Sequence, residues 1–170
     1  APADIVGTRR SLTSDLLPGA TGPGPASTSV AAGVLNFSVA ATTPDSRGEG
    51  YATWDGDLVA SNLNVTGLGG VNLTGSSHNA LRIVVNSASA GTEIVVDVYT
   101  SATASSRGFL RIPVAIAAPT NLFLTYQYDF VPTAASAADS ANVGAIEMRL
   151  RGTEVSAVID LVDTIGPSLT

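Results

Sequence analysis

The chain has 170 residues, enough for one domain with a buried core, and a formal charge of −6 at pH 7 from 14 acids against 8 basic residues, every one an arginine. That balance lacks the basic face which nucleic acid or an anionic membrane surface requires, so neither is expected as a partner. Cysteine is absent, removing disulfides and thiolate chemistry, and aromatics supply only 5% of the chain, so the core has to come from valine, leucine and isoleucine, residues that suit a sheet.

The opening "APAD" matches what a signal peptidase leaves after cutting at a small-residue site, so the protein is expected outside the cell or at its surface. No apolar run approaches the roughly 18 to 20 residues that cross a bilayer as a helix, and no membrane span is expected. Residues 1–26 read as an extended segment running into a spacer rich in proline and glycine. Within it, "ADIVGTRRSLTSDLL" can lie as a strand, with Ile5, Leu12, Leu16 and Leu17 as pocket-filling side chains. Two placements stay open for that segment. It folds back on its own domain, or it is donated to the open sheet edge of a neighbouring copy.

Residues 27–170 read as a β-sandwich domain. "VLNFSVAA" sets Leu35, Phe37 and Val39 on one face, and "GYATW" alternates before a "DGD" turn at Asp55 to Asp57. "ALRIVVNS" and "TEIVVDVYTS" place Leu81, Ile83 and Val85, then Ile94, Val96 and Val98, on single faces; the "NSASAG" between them predicts an antiparallel hairpin. "RGFLRIPVAI" is a strand that Pro113 pushes to an edge or an end. "TNLFLTYQYDF" alternates Leu122, Leu124, Tyr126, Tyr128 and Phe130, and the alanine-rich "VPTAASAADSANV" has room for a short helical turn. "GAIEMRLRG" turns Ile146, Met148 and Leu150 inward, and "EVSAVIDLVDTI" does so with Val155, Ala157, Ile159 and Leu161. About eight or nine short strands result, which is an antiparallel β-sandwich, jelly-roll or immunoglobulin-like.

The succession of "VGTRRSL", "GYATWDGD", "GLGGVNLT", "YDF" and "SANVGAIEMRLRG...AVIDLVDTIGP" resembles a domain of exported bacterial surface proteins, many with PEP-CTERM-type sorting tails. The resemblance runs from Ile5 to Pro167. It implies an extracellular β domain without an established catalytic site. The chain departs from that pattern in its proline- and glycine-rich stretch from Pro18 to Pro25 and in carrying no hydrophobic tail after Thr170.

Few residues offer chemistry. His78 is the one histidine, and no serine stands in a nucleophile-elbow context, so a triad would have to assemble in space. Asp55 with Asp57, or Glu93 with Asp97, are the acid pairs a glycosidase would need, but one tryptophan is little for a sugar cleft. No enzyme is expected. "WDGD" gives Asp55 and Asp57 as the only suggestion of a structural calcium site, and no other cofactor is expected. Trp54, Tyr51, Tyr99, Tyr126 and Tyr128 are candidates for a sugar-stacking platform, with Tyr126 and Tyr128 read as core. Arg149 and Arg151 are expected to meet Asp160 across a ladder. Sequons mark Asn36, Asn64 and Asn72 as glycan acceptors. The leading expectation is a secreted subunit that assembles with copies of itself into a filament, sheath or surface layer. The alternative is a carbohydrate-binding or adhesion module for surface polysaccharide.

Overall fold

In the computed structural model, residues 11–16, 26–40, 47–57 and 62–166 are described. Eleven strands form there: β1 (Ser11–Leu16), β2 (Ala26–Ala31), β3 (Val34–Val39), β4 (Arg47–Trp54), β5 (Ala80–Ala88), β6 (Glu93–Ser101), β7 (Ala104–Arg111), β8 (Thr120–Thr125), β9 (Phe130–Pro132), β10 (Ala145–Thr153) and β11 (Ser156–Ile165). They make two antiparallel sheets that pack face to face, so the chain is a β-sandwich. One sheet runs β1-β4-β10-β6-β7-β9 and the other β2-β3-β11-β5-β8. Removing β1, β2 and β9 leaves β4-β10-β6-β7 facing β3-β11-β5-β8, in which every link except β6 to β7 changes sheet. That is the jelly-roll connectivity, which decides between the two expected sandwiches.

Alternation in the sequence explains the core. Leu35, Phe37 and Val39 from β3, Leu81, Ile83 and Val85 from β5, Ile94, Val96 and Val98 from β6, and Ile146, Met148 and Leu150 from β10 point inward and are buried. The sheets approach closely where β4 carries Gly50, because a Cβ there would overlap the Phe37 ring and the Thr28 hydroxyl of the opposite sheet. β2 and β3 are joined by Ala32 and Gly33, at φ 52° and 83°, a two-residue turn of the twist that hairpins favour.

The structure corrects several expectations. β5 and β6 do not pair. The loop between them bridges the sheets, Ser89 N–H donating to the Ser156 carbonyl at 2.8 Å and Gly91 N–H to the Ile112 carbonyl at 2.8 Å. β8 stops at Thr125, because Asp129 Oδ2 accepts from Thr125 N–H at 2.6 Å and from its hydroxyl at 2.7 Å, turning "YQYD" into a closed turn. Tyr126 still packs on the core, against Phe130 at 6.1 Å between ring centroids, but Tyr128 is 78% exposed. The alanine-rich excursion holds bridges and turns, the 3₁₀ turn lying instead at Gly75–Ser77. β11 shifts register between Ile159 and Leu161, so Val162 pairs with Ile83.

The described part of the N-terminal segment is bound within its own chain. β1 pairs with β4 from Ser11 opposite Thr53 to Leu16 opposite Gly48, and Leu12 packs on the core. Ile5 and Leu17 lie outside the described residues.

Candidate ligand-binding face

The six-stranded sheet turns a polar face to solvent, and the same period of two that builds the core builds this face. Antiparallel register sets its side chains in rows across the strands: Thr53, Glu147, Asp97, Arg107 and Val131 in one, Tyr51, Arg149, Val95 and Phe109 in the next, Glu49, Arg151, Glu93 and Arg111 in a third. Glu147 and Asp97 stand directly opposite, a repulsive placement for two carboxylates.

Arginines resolve that repulsion. Asp97, whose side chain is 1% exposed, accepts from Arg107 Nε at 2.6 Å and Nη2 at 3.1 Å, and from Arg149 Nη2 at 2.5 Å. Arg149 Nε lies 3.6 Å from Glu147, while Arg151 Nε donates to Glu93 at 2.7 Å with its Nη1 3.7 Å from Glu49. The Tyr51 hydroxyl donates to Glu49. Burial opposes the charged form of Arg149, yet Asp97 outweighs it and the guanidinium is held more firmly protonated than usual. Burial raises the Glu147 carboxyl above its ordinary value despite the pull of Arg149. Burial, with Glu49 in one case and Asp97 in the other, pushes the Tyr51 and Tyr99 phenols up to about 12. All four tied acids are at most a quarter exposed, whereas Arg107 is 44% exposed and Arg111 is exposed without an ion pair to any described residue.

The sequence-predicted candidates are dispersed. Trp54 is buried on the inner face, and among Tyr51, Tyr99, Tyr126 and Tyr128 only Tyr51 and Tyr99 share the outer face of one sheet; the five aromatics form no single platform. Asp55 is buried, its two carboxylate oxygens accepting from Asp57 N–H at 3.1 Å and Asn64 N–H at 2.9 Å, so it closes the loop that Asp57 begins. No group of three metal-ligating side chains occurs among the described residues. His78 Nδ1 meets the Thr164 hydroxyl at 2.7 Å. Glu93 and Asp97 do share the outer face but are bound to arginines rather than open to solvent, because neighbouring long side chains cover them. Arg149 and Arg151 meet those acids instead of Asp160, since β10 and β11 lie in different sheets. Asn64 and Asn72 are exposed in one loop, each accepting from the hydroxyl two residues on, while Asn36 is half-buried on β3 and donates to the Val34 carbonyl. Sequence reasoning missed Arg107 and Phe109, whose alternation with Gly108 in "SRGFLR" was the available signal.

No protein-family model matches the chain, and no curated protein does. Among solved structures it is similar to that of PfGH50B, a glycoside hydrolase of family 50, with a TM-score of 0.55 and 9% identity over 93% of this chain. The chain spans 23% of the length of PfGH50B, and the likeness is one of fold. Among the described residues no helix is long and apolar enough to cross a membrane.

Proposed function

We propose that the chain is a non-catalytic carbohydrate-binding module that works outside the cell, using the outer face of the six-stranded sheet. The observation that carries this reading is the fold likeness to PfGH50B: nearly the whole of this chain corresponds to about a quarter of a glycoside hydrolase, the proportion of an accessory β domain rather than of the entire enzyme. The face supports it with tyrosines and a phenylalanine set among fixed guanidinium and carboxylate groups, the mix of apolar surface and placed polar atoms that recognises sugars. The resemblance to exported surface-protein domains supports the extracellular setting. Affinity electrophoresis against a panel of neutral and charged soluble polysaccharides tests it. Retardation by at least one is expected, and migration unchanged by every member of the panel would refute it.

One observation favours a second reading, assembly with copies of itself. β9 covers β7 only from Ser106 to Gly108, and the exposed large apolar side chains among the described residues, Phe109, Val114, Phe123, Tyr128 and Val131, all fall within residues 109–131. A strand added there would pair the open edge. Donation by β1 requires that β1 first leave β4. Sizing at rising concentration separates the readings, because head-to-tail addition yields a ladder of species and a binding module stays discrete.

A further inference from the structure

We infer that the outer strip of β7, Arg107, Phe109 and Arg111 with Val131 beside it, binds an anionic polysaccharide, one that carries carboxylates or sulfate esters. This rests on the carbohydrate-binding reading and names its ligand class.

The face is nearly balanced in formal charge but not in accessible charge. Its carboxylates run from 1% side-chain exposure at Asp97 to 24% at Glu93, whereas Arg107 at 44% and Arg151 at 33% stand above them and Arg149, at 14%, lies among them. Arg107 uses Nε and one edge of Nη2 on Asp97, which leaves Nη1 for an acceptor in solvent. Arg111 has all of its donors available, since no hydrogen bond or ion pair ties it to another described residue. A guanidinium fork fits a carboxylate or sulfate through paired N–H donors.

Between the two arginines on the same face stands Phe109, 47% exposed. An aromatic face with negative quadrupole accepts the C–H side of a pyranose ring. Arg107 and Arg111 are four residues apart on one strand, about 13 Å, a length of about two or three pyranose rings. A charged sugar chain lying along β7 would thus meet cation, ring and cation in order. The protein's overall negative charge does not prevent this at physiological salt, because screening over about 8 Å leaves contact-range charges dominant. A nucleic acid needs a broader basic track than one strand supplies.

Dextran, carboxymethyl-dextran and dextran sulfate share one backbone and serve as probes in affinity electrophoresis of the full chain. The charged forms should retard the protein at roughly tenfold lower concentration than dextran, and Arg111→Gln or Phe109→Ala should each remove about that factor. Both residues are exposed, so the variants keep the parental thermal midpoint. Arg47→Gln, at the start of β4 with β10 and β6 between it and β7, should bind as the parent does. Equal retardation by uncharged dextran, equal weakening by Arg47→Gln, or equally tight binding of oligodeoxythymidine would each overturn the inference. If neutral polysaccharides bind and the strip variants leave that binding intact, the general module reading survives and this ligand class falls. If no polysaccharide binds, both fall.

Discussion

Asp97 is the residue on which the outer face depends. It sits under two arginines, and its neutralisation leaves Arg149, 14% exposed, beside a neutral amide in a largely dehydrated site, while Arg107 stays open to water. Asp97→Asn is therefore expected to lower unfolding free energy by about 3 kcal/mol, the scale seen when one partner of a buried pair is removed, as read from urea denaturation. Its neighbour Glu147 behaves in the opposite way. Burial raises its carboxyl, so the folded protein holds that proton to higher pH than the unfolded chain does. Stability on this account is full below the ordinary glutamate value of 4.5 and falls as pH rises through the raised folded value. Glu147→Gln should thus raise the thermal midpoint at pH 7 and give no gain at pH below that ordinary value; an equal offset at both would rule the cause out. The roles of the two acids differ although both stand on outward positions of their strands. Periodicity told which way they face but not how deeply their neighbours bury them.

At the scale of elements, β4 links the layers. It is the strand between β1 and β10, and its glycine at position 50 lets the Phe37 ring of the opposite sheet come close. Gly50→Ala inserts a methyl group where the ring and the Thr28 hydroxyl already lie, and overpacking of that kind costs about 1 to 3 kcal/mol. A shift of the urea midpoint to lower concentration checks this; no shift would mean that the sheets separate there freely. β2 illustrates what pattern reading loses. "ASTSVA" has one large apolar residue and gives no strand signal of its own, but its partner β3 supplies the apolar side and the Ala32–Gly33 turn supplies the register. β8 shows the reverse error, an alternating run cut short when Asp129 closes a turn on Thr125.

For the molecule as a whole, the jelly roll brings distant segments into single rows. Arg149 reaches Asp97 across 52 positions and Arg82 reaches Asp163 across 81, and those pairs tie strands that the chain visits at separate times. The same wrapping sets β7 beside the short β9, so the strip of Arg107, Phe109 and Arg111 stays open at the edge of the sheet. The opposite edge is β1 itself, which pairs with β4.

By itself the sequence determined that the chain is built of strands and, in β3, β5, β6 and β10, which row of residues lines the core, because a strand's period of two is a local property of the backbone. It also determined the aliphatic character of the core. Only the tertiary structure decided which strands share a sheet, which arginine meets which acid, and where arginines rise above buried carboxylates, because hydrogen bonding between strands far apart in the chain depends on topology and not on any local pattern.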